Sequence, residues 1–453
     1  MNFQDIRKKY PQFIYKDFSV TDYEGQIKVK YTFIQEGEVP TEYCPEWIFP
    51  ISFGEYQESQ NKRFSDIVFF NLGMAELISY WKACMSFRVD ILCGHLTEKQ
   101  IKWWKKLYFN GLGEFMYRNN IDLRIEDFMD IKAASNGLCS SDYSKPVSGC
   151  LIPVGGGKDS AVTLETLKDS KDTNHVYIIN ANKAAVLCAE AAGYNQGEIT
   201  TPVRKLDKKI IEMNKKGFLN GHTPFSSVVA FSSYAAAALL GKKYIVLSNE
   251  SSANDSYVKE RYVNHQYSKS LEFENDFRKY TAEFLSDKIE YFSLLRCMNE
   301  WNIIKRFVMH KKYLNIFKSC NLGSKENIWC LKCPKCLFTY LMLSPFLNED
   351  ELNNIFGRNL LDDEEMLEYF EALVNEDKDK PFECIGTRSE INAACTASVR
   401  KYGENLPLLL KWYKDKYYNP DYDLKPVDEF FDEDNNIPDI FIKKLYRGQN
   451  GAL

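Results

Sequence analysis

The stretch 150–160 constrains the fold more than any other part of the chain. Residues 150–154 form a short apolar run that stops at Gly155, Gly156 and Gly157. Lys158, Asp159 and Ser160 then lead into a helix read from about Ala161. An apolar run this short, ended by glycines and followed by helical spacing, reads as a buried strand turning into a helix. The pattern recurs. Residues 176–179 and Tyr244–Leu247 are two more short apolar runs. Between them lies an Ala- and Ser-rich helix, with Thr223 as expected N-cap, Pro224 in its first turn and Gly241 at its close. Strands and helices in alternation predict a parallel sheet covered on both faces.

With 453 residues, the chain has room for two or three domains. Three regions are expected: an α+β part at 1–145, the parallel-sheet part at 146–347, and a mostly helical part at 348–453. In the first, Ile27, Val29, Tyr31 and Phe33 alternate with polar neighbours as a half-buried strand does, and Ile67, Phe70, Met74, Leu77, Ile78 and Trp81 recur at helical spacing. Thr97 and Gln100 make a capping box before Ile101, Trp104 and Tyr108. Residues 134–145, rich in Ser and Asn and ending before Pro146, read as a linker. In the third region, 362–379 holds nine acidic residues and one Lys around Met366, Leu367, Phe370 and Leu373, the pattern of a solvated face on an amphipathic helix.

A formal net charge of −5 argues against a broad basic surface for nucleic acid. The N-terminus lacks the apolar core of a secretory signal. The longest run free of Asp, Glu, Lys and Arg, 217–241, carries Gly217, Asn220, Gly221, Pro224 and four serines, so a buried helix is expected there rather than a membrane span. Thirteen cysteines, an odd number with three packed together, fit reduced thiols in a cytoplasm.

The chemistry is expected first at 153–160 (PVGGGKDS). Such a turn bares backbone N–H groups, glycines let a phosphate come close, and the helix N-terminus adds partial positive charge. Lys158 can supply a mobile cation, Asp159 can hold Mg²⁺, and Ser160 can hydrogen-bond a phosphate oxygen. The spacing is neither Walker A nor GxGxxG, which disfavours a nicotinamide cofactor. Second, Cys320, Cys330, Cys333 and Cys336 are spaced to wrap one tetrahedral, structural Zn²⁺. An iron–sulfur cluster and a group of packed, unliganded thiols are the alternatives. Third, residues 264–270 (NHQYSKS) gather an imidazole, an amide, hydroxyls and an ammonium, a set suited to a carboxylate or phosphate-bearing ligand. His95, His175, His222 and His310 have no such company and read as structural or surface residues.

The octapeptide resembles the PP-loop of the ATP pyrophosphatase superfamily, SGGxDS, with Gly155 where the first Ser is usual. The resemblance implies an adenine nucleotide alpha hydrolase-like sheet, ATP and Mg²⁺ as cofactors, and cleavage of ATP to AMP and pyrophosphate with adenylation of a substrate oxygen. It places ATP at Gly155, Gly156, Gly157, Lys158, Asp159 and Ser160. By analogy Asn180 lies near the adenine or ribose, and Asn249 and Glu250 share the same edge of the sheet. The Cys cluster resembles the zinc site of 7-cyano-7-deazaguanine synthase. Taken together, GGGKDS, 248–254 (SNESSAN), NHQYSKS, the CxxCPKC segment, 381–387 (PFECIGT) and 110–115 (NGLGEF) resemble the UDP-N-acetyl-muramoyl-L-alanyl-L-glutamate epimerase family along nearly the whole chain. That resemblance implies UDP-MurNAc-L-Ala-L-Glu as substrate and inversion of its terminal L-Glu through a carboxyl adenylate; the charge and the apolar pattern already disfavour a nucleic-acid partner and a membrane. Asp159, Lys269 and His265 become the catalytic candidates, the last two for carboxylate binding or proton transfer. Another adenylating ligase, amidotransferase or base-modifying synthetase of the superfamily, one acting on tRNA included, is the nearest alternative, and a nucleotide-binding regulatory module without turnover is the second.

Overall fold

A computed structural model describes residues 2–57, 62–135, 142–255 and 263–447; the middle of the expected linker, 136–141, lies outside them. Two sheets organise the chain. The first has seven strands in the order Val203–Lys205, Glu46–Ser52, Gln26–Glu36, Gln12–Tyr23, Arg88–Ile91, Asp130–Ala133, with Thr41–Tyr43 beside Gln26–Glu36. Ile27, Val29, Tyr31 and Phe33 all point into its core, as their alternation requires. The long helix Lys62–Trp81 covers that face. Val203–Lys205 comes from the middle of the chain yet pairs with Glu46–Ser52, so the first sheet is completed by residues more than a hundred positions downstream. Arg204 fixes this junction by an ion pair with the buried Glu76, at 2.5 Å.

The second sheet is all parallel. Its strands run Glu290–Ser293, Tyr244–Leu247, Cys150–Pro153, His175–Tyr177, Ile199–Thr200. Numbered along the chain that order is 5-4-1-2-3. The direction of winding therefore reverses between Cys150–Pro153 and Tyr244–Leu247, the switch point where open α/β sheets bind ligands. Strand periodicity divides this sheet between two cores. Leu151, Tyr177, Ile245 and Tyr291 face the N-terminal core, while Ile152, Val176, Val246 and Phe292 face a second core shared with the C-terminal helices.

The helix Phe225–Leu240 lies on the N-terminal side, and its Ala- and Ser-rich surface lets it pack closely. Gly241 closes it at φ 64°, a left-handed position that favours glycine. Thr223 does not cap it: its hydroxyl accepts a hydrogen bond from Lys82 instead, at 2.5 Å. The capping box at Thr97 and Gln100 is present. On the other side stand Pro334–Leu343, Leu367–Val374, Arg388–Tyr402 and Leu408–Lys416. Met366, Phe370 and Leu373 are buried there, leaving the acidic face outward. Among the described residues no helix is long and apolar enough to cross a membrane.

Candidate active site

A cavity of about 400 Å³ opens at the switch point. One wall is the carboxyl edge of the parallel sheet. The helix Lys158–Thr166 begins there with Gly157 as N-cap and no side chain capping it, so its first N–H groups are left for a ligand. A Cβ on Gly155 would meet open space, whereas Gly156, at φ 85°, presses against the backbone of Ala184 and Ala185. Gly155 thus leaves room on the ligand side while Gly156 brings the turn down onto the next helix. Ser160 is buried, and its hydroxyl donates to the Gly157 carbonyl at 3.0 Å. Asn249 lines the cavity, with its carbonyl held by the Ser293 hydroxyl at 2.7 Å.

The charges on this wall are paired. Lys158 is not the mobile cation expected from sequence. Its side chain is 4% exposed and bridges Asp159 at 2.5 Å and Glu300 at 2.7 Å. Burial works against its charge, but Asp159, Glu300 and Glu250 outweigh it and hold the ammonium above its usual range. Burial pushes Glu300 up to about 8 despite Lys158. Glu250 moves the other way, because Lys269 and Lys158 overcome its burial. Among the described residues, four lysines (158, 269, 318 and 335) and three carboxyl groups (Asp159, Glu250 and Glu300) face the cavity. A cleft this rich in cations suits a polyanionic ligand.

Asn180 stands apart from this wall. Its amide accepts from the Arg204 N–H at 2.8 Å and donates to the Arg204 carbonyl at 3.2 Å, so both ends serve the strand Val203–Lys205. Tyr177, Ile179 and Asn182 line the cavity around it instead.

The second wall comes from distant parts of the chain. Cys384, in the turn before Arg388–Tyr402, faces the cavity with Lys269 Nζ 3.0 Å from its Sγ and a hydrogen bond to His265. Burial disfavours a thiolate, yet Lys269, His265 and Lys335 together bring Cys384 down to about 5. The reciprocal effect is seen on its partners. Burial opposes the charge of Lys269, but Cys384 and Glu250 raise it. Burial likewise opposes His265, whose hydrogen bonds to Cys384 and to Glu114, the latter at 2.5 Å, lift it to about 9. His222 belongs here too, contrary to the structural or surface role read from sequence. Its ring lies 4.6 Å from that of His265, and its Nδ1 lies 3.3 Å from Glu114. Burial and the charge on His265 push it down to about 3, so it stays neutral.

Arg296 locks the two walls together. Fully buried, it donates to the carbonyls of Glu250 at 2.7 Å and Lys269 at 2.5 Å and pairs with Glu274 at 3.2 Å. The Cys cluster adjoins the same space, since Cys320 and Lys335 both line it. The sulfurs of Cys320, Cys330, Cys333 and Cys336 lie within 4.8 Å of one another, with Cys320–Cys333, Cys330–Cys336 and Cys333–Cys336 at 4.0, 3.8 and 3.5 Å. Hydrogen bonding from Cys336 draws Cys333 down to about 5, and two backbone N–H groups point at Cys320 Sγ from 3.2 and 3.4 Å.

Sequence reasoning missed Cys384, Glu114, His222, Glu300, Lys335 and Arg296. Glu114 and Cys384 lie inside the motifs 110–115 and 381–387, which had been matched without a role for either residue. Lys335 lies in the CxxCPKC segment, likewise without a role, and His222, Glu300 and Arg296 carried no local signal. Of the remaining histidines, His95 and His175 are held by backbone carbonyls and His310 lies near Glu165.

These features define a class: an α/β protein whose ligand cavity opens at the carboxyl edge of a parallel sheet. Comparison with known proteins narrows it. The family models described as MurL N-terminal domain and MurL C-terminal domain match residues 4–294 and 316–413, and the chain belongs to the MurL family. It is 34% identical over 334 residues to a UDP-N-acetyl-alpha-D-muramoyl-L-alanyl-L-glutamate epimerase of Xanthomonas oryzae pv. oryzae, covering 70% of this chain and 71% of that one. A protein of the same name from Micromonospora sp. is 33% identical over 319 residues, covering 69% and 70%. No solved structure matches. The curated relatives are epimerases, and this chain is an enzyme.

Proposed function

We propose that the chain inverts the terminal L-Glu of UDP-MurNAc-L-Ala-L-Glu to D-Glu in an ATP- and Mg²⁺-dependent reaction of cytoplasmic peptidoglycan precursor synthesis. The observation that carries this reading is the meeting of two kinds of group in one cavity. An uncapped helix N-terminus with Lys158 and Lys318 stands on one side, and an acid–base cluster of Cys384, Lys269 and His265, with Lys335 beside it, on the other. Phosphates suit the first, and the PP-loop resemblance of 153–160 makes ATP their source. Tyr177, Ile179, Phe225, Val229 and Leu247 give the cavity an apolar end that fits a planar base.

The chemistry explains why the two belong together. A free carboxylate is already negative, so taking the neighbouring α-proton would create a dianion. Adenylation converts it to a mixed anhydride, which spreads the carbanion charge as an enolate. A base then removes the proton, a proton returns on the other face, and hydrolysis releases product and AMP. Mg²⁺ would neutralise charge on the phosphates. Asp159, facing the cavity with its side chain 29% exposed, suits it as a ligand. The Cys cluster fits a structural Zn²⁺. Four thiolates about 2.3 Å from one ion stand about 3.8 Å apart, and the contacts here run from 3.5 to 4.0 Å. A cluster that ties each thiolate to a different iron would spread them wider. The ion would fix the turn carrying Lys335.

The test is to run the reaction in D₂O. With ATP and UDP-MurNAc-L-Ala-L-Glu, the glutamate gains deuterium at its α-carbon, D-Glu forms and AMP accumulates. Without ATP there is neither exchange nor inversion. Deuterium entering without ATP overturns the activation step. AMP formed while the glutamate stays L and protiated overturns epimerisation and favours an adenylating ligase.

A further inference from the structure

We propose that Cys384 is the base that removes the α-proton of the activated glutamyl residue, and that Lys269 and His265 are not bases but hold it as a thiolate. This rests on the reading above and assigns a step within it. Lys269 and His265 both donate toward the same sulfur, Lys269 from 3.0 Å, so within this trio the acceptor atom facing the cavity is Cys384 Sγ. Of the three carboxyl groups on the opposite wall, Asp159 and Glu300 grip Lys158, and Glu250 accepts from the Ser252 hydroxyl at 3.3 Å and faces Lys269 and Lys158.

The turn that carries Cys384 is rigidly placed. Lys380, buried, donates to the Gly386 carbonyl at 3.1 Å. Thr387 caps the helix Arg388–Tyr402, and Glu390 completes its capping box. The same Glu390 accepts the backbone N–H of Glu300 at 2.5 Å. A Cβ on Gly386 would lie only 3.2 Å from that of Glu300, so the turn seats directly against the residue that holds Lys158. Cys384 is thereby fixed relative to the phosphate wall, as proton transfer at a carbon next to a phosphorylated carboxyl demands.

The step balances as follows. The electron pair of the Cα–H bond passes into the carbonyl of the adenylate, giving an enolate, and the proton forms S–H on Cys384. A solvent-derived proton delivered to the opposite face restores Cα–H in the D configuration. The thiol returns to thiolate by losing its proton to water. Loss of one negative charge at sulfur as another appears on the enolate keeps the cavity's charge constant, which the cations Lys269, His265 and Lys335 then serve in both states. Glu250 and Glu383 stand next to these cations, and Glu114 backs His265.

The experiment separates this step from adenylation by measuring pyrophosphate release and α-deuterium uptake side by side on the full chain with ATP and UDP-MurNAc-L-Ala-L-Glu. Cys384→Ser is expected to lose about 10³-fold in exchange and inversion, the range for a general base, with a far smaller loss in pyrophosphate release. Parallel loss of both, or exchange within tenfold of the parent, overturns the assignment. An adduct between substrate and Cys384 after acid quench overturns it in favour of a nucleophile. If the parent enzyme itself releases no pyrophosphate, the adenylation reading fails instead. Iodoacetamide labelling, mapped by peptide mass, reads the thiolate independently of turnover. Its rate at Cys384 falls as pH drops through about 5, and in Lys269→Met the midpoint moves up toward an ordinary thiol. An unchanged midpoint removes the role given to Lys269.

Discussion

The two walls of the cavity are built in different ways. The sheet edge is made from consecutive residues. One strand, one turn and one helix supply Gly155 through Ser160, and the backbone does much of the work through bare N–H groups. The facing wall is made from side chains brought from Glu114, His222, His265, Lys269, Cys320, Lys335 and Cys384, positions scattered over some 270 residues. The first wall is a shape for binding and the second a set of coupled charges. The contrast predicts that damage to the first stops everything downstream of ATP, while damage to the second divides the reaction or loosens the fold.

On ATP cleavage the largest effect belongs to the first wall. Asp159→Ala removes the half-buried carboxylate beside Lys158 and the proposed Mg²⁺ ligand. Pyrophosphate release should fall by about 10² to 10³-fold, the scale for losing one electrostatic element of a polar site, with circular dichroism unchanged and a lowered melting temperature from the loss of one partner of the buried Lys158. A folded Asp159→Ala protein that releases pyrophosphate at the parent rate would break the assignment of this wall to ATP.

On the second wall, Cys333→Ser should act through the fold. Cys333 makes the shortest of the sulfur contacts, and its thiol is drawn down while those of Cys330 and Cys336 are pushed up. The variant should purify without zinc and lose on the order of 4 kcal/mol of stability, as removal of a bound metal does. Its residual turnover should track the folded fraction. Elemental analysis of the parent is the direct check. A parent with neither zinc nor iron would leave the four sulfurs as packed thiols and make the variant's loss much smaller.

The same contrast explains how much was legible in the sequence. The parallel sheet could be read because short apolar runs, glycines and caps are local signals, and Tyr244–Leu247 and the Gly-rich turn fall where those signals place them. Ile199–Thr200 and Glu290–Ser293 escaped notice, one being two residues long and the other following a polar loop. The crossing of Val203–Lys205 into the first sheet could not be foreseen, since strand pairing at a distance leaves no mark on three residues. At the site, His265 and Lys269 were found because they sit together in one motif. Cys384 was not, because a thiol becomes a thiolate only through neighbours that the fold supplies. Lys158 looked mobile because nothing in GGGKDS announces Glu300, which arrives from a helix 142 positions away.

The smallest expected effect marks where the first wall ends. Analogy places Asn180 near the adenine or ribose, but the structure turns its amide onto the backbone of Arg204, with both polar ends occupied. Its φ of 50° adds a second reason for its presence, since Asn tolerates the left-handed region better than most residues. Asn180→Ala should therefore cost stability and spare the nucleotide. Two hydrogen bonds at about 1 kcal/mol each, with a further ~1 kcal/mol for alanine at positive φ, give roughly 2–3 kcal/mol. The KM for ATP should stay within about twofold, because an interaction absent from the ligand cannot change its binding. Asn182→Ala is the matching control, since that side chain caps the helix Lys183–Ala191 while lining the cavity. A tenfold rise in KM for ATP with Asn180→Ala, and none with Asn182→Ala, would extend the nucleotide wall past the edge drawn here and return Asn180 to the adenine.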